Sequence, residues 1–584
     1  MENLRRLTPF LSVAPQISEA DVATLAARGY HSIINNRPDN EGDGQPLGAA
    51  IAAAAKASGM DYRHIPVVSG KVTEADVAAF RAAMAELKGP VFAYCRTGTR
   101  STTLWALSEA ARLDPAVLVG VAADAGYDLN PLRPRLEAEW SATPSQMTAS
   151  GTGTVPAKPA KNFDIVIVGG GAAGCSVASS ILKRRPALKL AIIEPKEIHY
   201  YQPGWTLVGG GVFDRRKTTR PMSDCIPAGV DWIKAAVATF DPSRHAVLLE
   251  DGTPIGYSAL IVAPGLELRW DLIDGLKDTL GKNGVTSNYM LDLAPYTWEL
   301  VQGLNGGTAL FTQPPMPIKC AGAPQKAMYL SANHWEAKGC LKNITVEFNN
   351  AGGVLFGVKD YVPPLMKYVE RYGAKLVFNS NLKSIDGPNK QATFEIKKDD
   401  GSVERVTKSF DMIHVVPPQT APAFIRQSPL ADGAGWVDVD SETLRHKSFG
   451  NIFALGDVGS TPNAKTAAAV RKQAPIVAEN VIAILDGKNP RAIYDGYGSC
   501  PLTVERGKVI LAEFGYGGKL LPTFPWDSTK PRWSAWFAKV SVLPWLYFDA
   551  MLKAREWLAS PTILPHQPQP HESAAACADP TQRK

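Results

Sequence analysis

Surplus charge of one sign is scarce in this sequence. Across 584 residues, 62 Lys and Arg stand against 56 Asp and Glu, a net charge of +6. No dense basic run with interleaved aromatics occurs outside the C-terminal region, so nucleic acid is a poor fit as a partner. Cysteine is also sparse: there are seven, at 95, 175, 225, 320, 340, 500 and 577. An odd, scattered set does not make the disulfide framework of a secreted protein, and it points to a reducing compartment in which one or two cysteines carry chemistry. Runs of about 18 apolar residues are missing, and Met1-Glu2-Asn3-Leu4-Arg5-Arg6 lacks the apolar core of a signal peptide. Neither a membrane span nor export is expected, and no residue is put forward as a metal ligand.

What is present is ample material for several cores, with 45% hydrophobic and 20% charged residues. A chain of this length exceeds the size at which one core stops growing, so two to four domains are expected. Residues 1–140 alternate strand-like runs (His31 to Asn35, Pro90 to Tyr94) with Ala-rich helical stretches, the pattern of a parallel sheet with crossover helices. Residues 141–162 are rich in Ser, Thr, Gly, Pro and Lys and read as a flexible linker. A second α/β region begins at Phe163, and the Pro- and His-rich stretch 561–584 reads as a disordered tail.

Phe163 to Val168 has the pattern of a buried strand and runs into Gly169-Gly170-Gly171-Ala172-Ala173-Gly174, then a helix. In a dinucleotide-binding turn, Gly169 permits the tight turn, Gly171 lets the backbone approach a pyrophosphate, and Gly174 lets helix and strand pack closely. A second strand, Leu190 to Ile193, ends in Glu194, placed to hold a ribose hydroxyl. Ala259-Leu-Ile-Val-Ala-Pro-Gly265 is similar to the strand and turn that return under the cofactor in two-dinucleotide flavoproteins. Asn451-Ile-Phe-Ala-Leu-Gly-Asp457 resembles the late segment whose Asp binds the flavin ribityl chain there. These resemblances imply FAD rather than NAD, held by Gly169, Gly171, Gly174, Glu194, Gly265 and Asp457.

A pyridine-nucleotide-linked flavoenzyme would carry a second glycine fingerprint near mid-chain. Here the corresponding region reads Thr308-Ala-Leu-Phe-Thr-Gln-Pro-Pro-Met-Pro-Ile-Lys-Cys320, a strand without the glycine turn, and the glycines of Asn349 to Gly357 have the wrong spacing. NAD(P)H is therefore not the expected electron donor. Two cysteines stand in suggestive settings instead: Cys320, flanked by Lys319 and Lys326, and Cys500, in Tyr497-Gly-Ser-Cys-Pro501. Nearby positive charge favours a thiolate, whereas an inert buried thiol is the ordinary alternative.

From about Phe163 to Leu558 the chain resembles the mitochondrial-type branch of the sulfide:quinone oxidoreductases. The resemblance is carried by Tyr201-Gln-Pro-Gly-Trp-Thr-Leu-Val208, Cys320-Ala-Gly-Ala-Pro-Gln-Lys326, Gly435-Trp-Val-Asp-Val-Asp440, Lys465-Thr-Ala-Ala-Ala-Val470 and Tyr494-Asp-Gly-Tyr-Gly-Ser-Cys-Pro501. It implies two tandem Rossmann-like domains over 163–529 and a redox pair, Cys320 and Cys500, joined by a disulfide or by a bridge with an extra sulfur. In that scheme hydrosulfide attacks Cys500, Cys320 leaves as a thiolate beside the flavin, and the persulfide sulfur passes to sulfite, glutathione or a similar acceptor. The electrons pass to ubiquinone or a related quinone. Lys465 is expected near the flavin pyrimidine, and FAD is expected to be non-covalent because no further cysteine is well placed to attach it.

Residues 530–560 hold four of the 13 tryptophans and five basic residues (Lys530, Arg532, Lys539, Lys553, Arg555) against Asp549 and Glu556. Aromatic and basic helices of this kind lie in membrane interfaces. Two amphipathic helices broken at Pro544, docking on a membrane, are the expectation, with a core-packed pair or a homo-oligomer interface as the alternative. The expected location is peripheral, on the cytoplasmic face of the inner membrane.

In the first domain a strand runs into Cys95-Arg96-Thr97-Gly98-Thr99-Arg100-Ser101 and a helix, the cradle of backbone N–H groups used by tyrosine phosphatases and rhodaneses. Four residues separate Cys95 from Arg100, as in the rhodanese pattern, while Asn35-Asn36-Arg37-Pro38-Asp39-Asn40-Glu41 resembles a phosphatase-like family often described as sulfur transferases. The expectation is a phosphatase-like α/β fold in which Cys95 accepts sulfane sulfur and Arg96 and Arg100 bind an anionic acceptor. Two other functions stay open: a type II NADH:quinone oxidoreductase, and a flavin-containing sensor whose first domain dephosphorylates proteins.

Overall fold

The computed structural model of the protein describes residues 4–8, 11–87, 90–110, 115–141 and 161–564. Most of the expected linker and tail (142–160 and 565–584) lies outside the described residues.

The three central strands of the N-terminal sheet are buried on both faces while its two edge strands are largely exposed, as a sheet covered by helices on both sides requires. This five-stranded sheet runs in the order Arg5–Thr8, Leu11–Ala14, Val91–Tyr94, Ser32–Asn35, Asp61–His64. The first pair is antiparallel and the rest are parallel. One face packs Phe80, Leu104 and Trp105, and the other packs Val22, Leu25, Ile51 and Phe92, as two separate core clusters. Ser18 and Thr73 each begin a helix through a capping box with the Asp three residues on, which satisfies otherwise orphaned N–H groups.

The second region begins with the strand Lys161–Val168, two residues ahead of the expected start. It lies centrally in a seven-stranded sheet, parallel to both Leu190–Ile193 and Pro254–Val262. The late strand Ile452–Ala454 joins the same sheet against Leu260 to Val262, which brings the expected Asp457 segment to the C-terminal edge where the glycine turn also lies. A second sheet is all parallel, in the order Val285–Thr286, Met412–His414, Gly307–Gln313, Ile344–Asn350, Lys375–Val377. Ligands of such sheets bind outside the carboxyl ends of the strands, where the order reverses. There the loop after Gly307–Gln313 carries Cys320 and leads into the helix Ala323–Lys338. The hairpin Gly498–Glu505 and Lys508–Phe514 places Cys500 opposite Ala512.

Two expectations for the C-terminal region need correction. No break occurs at Pro544: residues 533–553 form one continuous helical run in which the π turns Ala538–Val542 and Leu546–Ala550 flank the short α turn Leu543–Trp545. Proline lacks an N–H and crowds the carbonyl of the preceding turn; a widened π turn relieves both demands without ending the helix. Nor does structure stop at Pro561, since Thr562–Ile563 pairs with Ala492–Ile493.

This run is fastened to the dinucleotide helix Ala172–Arg184. Ser179 Oγ donates to the carbonyl of Leu552 at 2.5 Å, Lys183 Nζ to that of Ala554 at 3.0 Å, and Arg184 Nη1 to Glu556 at 2.7 Å. Tyr547 OH is 2.8 Å from His199 Nε2, while His199 Nδ1 is 3.1 Å from the carbonyl of Gly170 in the glycine turn. The Arg184 and Glu556 side chains are mostly shielded, and Arg184 is shared with Glu479, whose Oε1 accepts from its Nε at 2.6 Å, so losing Glu556 removes the tie between the two segments without stranding the arginine. Glu556→Ala is therefore expected to raise hydrogen exchange across residues 546–558 and leave the N-terminal domain unchanged; unaltered exchange there would mean the pair does not hold the segment.

Candidate active site

The glycine turn has the shape the sequence implies. Gly169 has φ +104°, and a Cβ on it would lie 2.4 Å from the carbonyl oxygen of Ala263. A Cβ on Gly174 would lie 1.8 Å from the carbonyl oxygen of Gly169, so helix and strand meet backbone to backbone. Gly171 and Gly265 face open space, the cradle a pyrophosphate and its neighbours need. Glu194 reaches back into the turn and accepts from Gly170 N at 2.9 Å and Lys196 N at 2.9 Å.

Asp457 follows the strand Ile452–Ala454 in a single 3-10 turn. Burial raises its carboxyl above the usual range, while Lys465 and Lys319 pull it down. The ammonium of Lys465 is taken up by the protein itself: it donates to the carbonyls of Asp457 at 2.6 Å and Gly459 at 2.9 Å and lies 4.0 Å from the Trp436 ring centroid. Lys319 is less committed. Its Nζ donates to Gln202 Oε1 at 2.6 Å and lies over the faces of Trp205 and Tyr289, and burial brings it down to about 8. Gln419 Oε1 accepts from Lys319 N at 2.8 Å, whereas Gln419 Nε2 and Trp205 Nε1, both buried, have no hydrogen-bond partner. Open space at the glycines and orphaned donors beside Lys319 fit a large ligand rich in acceptors such as FAD.

Cys320 and Cys500 are free thiols in hydrogen-bond contact. They arrive from opposite directions. Cys320 has φ +49°, a conformation that costs a non-glycine residue about 1–3 kcal/mol, and it is pinned by its N–H on the carbonyl of Lys465 at 2.9 Å. Cys500 lies fully buried on the hairpin, close to Gly322. Lys326, one turn into the following helix, donates from Nζ to Cys320 Sγ at 3.2 Å. The hydrogen bond from Cys500 and the charge of Lys326 hold the Cys320 thiol well below its ordinary range. The same contact, with burial, pushes Cys500 well above, so the negative charge of the pair belongs to Cys320.

Lys539 is a functional candidate that the sequence reading assigned to the membrane face. It is 4% exposed and lies within electrostatic reach of Lys326, Cys320 and Cys500. Burial lowers it to about 7.

In the N-terminal domain Gly98, at φ +91°, turns its N–H onto Cys95 Sγ at 3.1 Å. Arg100 is buried and also hydrogen-bonds the thiol; Arg96 is exposed. Glu41 accepts from both Arg37 and Arg100. Among the described residues no cluster of three or more His, Cys, Asp or Glu is placed to hold a metal ion.

Two α/β sheets, the first ending in a dinucleotide-binding glycine turn and the second in a loop that meets the Cys500 hairpin at a dithiol, define the architecture of a flavoprotein oxidoreductase. Accordingly, residues 163–295 match the pyridine nucleotide-disulphide oxidoreductase family model. The mitochondrial sulfide:quinone oxidoreductase of Dictyostelium discoideum is 44% identical over 402 residues, 68% of this chain and 88% of that one. The chain belongs to the sulfide:quinone oxidoreductase family, as an FAD-dependent oxidoreductase. The solved enzyme of Aquifex aeolicus shares the fold, with a TM-score of 0.56 at 18% identity over 67% of this chain and 92% of that one. Residues 3–112 match the phosphatase-like domain of beta-lactamase hydrolase-like protein. The Agrobacterium fabrum protein of that name is 43% identical over 141 residues, 24% of this chain and 33% of that one.

Replacing Lys326 with Met removes the cation beside Cys320. In a Cys500→Ser background, the pH midpoint for alkylation of Cys320 by iodoacetamide is expected to move upward by about 1 to 3 pH units; an unmoved midpoint would show that Lys326 does not hold the thiolate.

Proposed function

We propose that the chain oxidises sulfide through Cys320 and Cys500 and delivers the electrons to a membrane quinone. The observation that carries this reading is the polarised dithiol at the crevice where a pyridine nucleotide lies in enzymes with a second glycine fingerprint. In the oxidised enzyme the two sulfurs are bridged, directly or through one extra sulfur. Thiolate exchange is fastest when the departing sulfur has the lower pKa. From the direct disulfide, hydrosulfide therefore attacks Cys500 and expels Cys320 as a thiolate, whose negative charge Lys326 receives; from the bridge with one extra sulfur the same attack expels the Cys320 persulfide anion, with the extra sulfur kept on Cys320. Cys500 keeps the added sulfur as a persulfide, and sulfite, glutathione or a similar nucleophile removes it.

Non-covalent FAD, held by Gly169, Gly171, Gly174, Glu194, Gly265 and Asp457, supplies the two-electron acceptor between the dithiol and the quinone. Lys539 sets the potential around the pair: protonated below about 7, it adds a second cation facing Cys320. Lys465 orders the Asp457 turn through the two carbonyls it binds.

The membrane contact falls on the 533–564 region, where Trp533, Phe537, Trp545, Trp557, Leu558, Ile563 and Leu564 are exposed. Trp533 stacks on Phe537 and Trp545 lies against Trp557; exposed apolar side chains concentrated in this way suit an interaction site, and Lys530, Lys553 and Arg555 in the same stretch suit an anionic lipid surface. Among the described residues no helix is long and apolar enough to span a membrane.

For the N-terminal domain we infer a sulfur-transfer role, with Cys95 accepting sulfane sulfur generated by the flavoprotein. Tethering raises the effective concentration of donor at acceptor.

An anaerobic titration of flavin absorbance tests the main reading. Sulfide is expected to bleach the flavin and a soluble quinone to restore it, with both steps lost in Cys320→Ser and Cys500→Ser. Bleaching by NADH and not by sulfide would overturn it in favour of an NADH:quinone oxidoreductase.

A further inference from the structure

The side-chain donors of the two buried arginines near Cys95 are largely engaged within the protein. Arg100 Nη1 donates to Glu41 Oε1 at 2.8 Å and to the carbonyl of Val67 at 2.7 Å, and Nη2 donates to Glu41 Oε2 at 2.7 Å. The Cys95 thiol engages the same guanidinium. A guanidinium has five N–H groups, so at most one is left for a ligand. Arg37 is engaged similarly, with Nε on Glu41 Oε2 at 2.8 Å and Nη1 on Gln16 Oε1 at 3.0 Å. Both arginine side chains are 9% exposed and that of Glu41 is 22% exposed, so the guanidinium groups are largely shielded while the carboxylate keeps some access to solvent. Glu41 is itself fixed by its loop, where its N–H donates to Gln45 Oε1 and Gln45 Nε2 donates to the carbonyl of Pro38.

Phosphoryl recognition depends on a guanidinium free to present two parallel N–H groups to an anion carrying close to two negative charges. Here the fork of Arg100 already grips a carboxylate, and the two buried arginines with one glutamate leave a single net positive charge inside the site, Arg96 being turned to solvent. That charge matches one negative sulfur.

We propose that Glu41 is the specificity-determining residue of the Cys95 site: by occupying the fork of Arg100 it excludes phosphoryl dianions and reserves the site for persulfides, whose reacting end carries at most one charge. This deepens the sulfur-transfer reading and rests on it. In the step, the Cys95 thiolate attacks the outer sulfur of a persulfide R–S–SH. A new S–S bond forms to Cys95, the old one breaks, its electron pair leaves with R–S⁻, and the proton stays on the transferred sulfur. No net oxidation occurs and no other reactant is needed. Arg100 faces the sulfur throughout, and Gly98 N–H supports its negative charge.

The test uses the full-length protein and mass spectrometry of the Cys95 peptide. Orthovanadate, a phosphate mimic, is titrated as a protectant of Cys95 against iodoacetamide. Glu41→Gln is expected to protect at vanadate concentrations roughly tenfold or more below those for the unmodified chain, since a charged hydrogen-bond pair becomes available. Arg37→Met, which leaves Glu41 wholly on Arg100, is expected to need more vanadate than the unmodified chain, and it decides the matter if Glu41→Gln does not fold. Equal midpoints among the folded variants overturn the role of Glu41. Separately, glutathione persulfide is expected to add one sulfur to Cys95 of the unmodified chain. Labelled Cys95 with equal vanadate midpoints sinks the selector alone, whereas unlabelled Cys95 sinks the sulfur-transfer reading and the proposed substrate class with it.

Discussion

A negative sulfur held against a buried ammonium is the interaction on which the flavoprotein half depends. Lys326 stays charged inside the protein because Cys320 and Cys500 offset the burial that opposes it. Cys320 in turn carries the charge because Lys326 is hydrogen-bonded to it. Neither group is stable alone in that setting, since an unpaired buried charge shifts to its neutral form. The surrounding structure keeps them together. The strained backbone at Cys320, its tether to the Lys465 carbonyl and the hairpin that carries Cys500 fix the two sulfurs before any substrate arrives.

The polarity of the pair also gives the chemistry a direction. If the two thiols were equivalent, an attacking hydrosulfide could expel either. In the proposed reaction, with Cys320 low and Cys500 high, the electron pair would depart toward Cys320, on the loop that reaches the Asp457 segment through Lys319 and Lys465. The continuous helical run at the C-terminus then has two faces with separate work. Its inner face brings Lys539 to the dithiol and Tyr547 to His199, and its outer face presents tryptophans to the surroundings.

The N-terminal domain handles its cysteine by a different balance. Around Cys320 the ammonium of Lys326 is hydrogen-bonded to the sulfur and Lys539 lies within electrostatic reach; around Cys95 two buried arginines are present and share the carboxylate of Glu41.

By itself the sequence determined the local features: the strand, glycine turn and helix of the dinucleotide site, the missing second fingerprint, and the loop of Cys95. These depend on backbone geometry that only particular residues at fixed spacing can adopt, so they are legible within a few positions. Tertiary structure alone decided which way long side chains point and which distant segments meet. Lys539 reads as surface charge in the chain but lies beside the dithiol. Pro544 reads as a helix break, yet π turns on both sides absorb it. Glu41 carried no chemical signal until it was found gripping the fork of Arg100, 59 residues away. The contact of Cys320 with Cys500, which the sequence offered only through resemblance, follows from two sheets and a hairpin packing together. Such pairings are set by the burial of many side chains at once, and no short stretch of sequence records them.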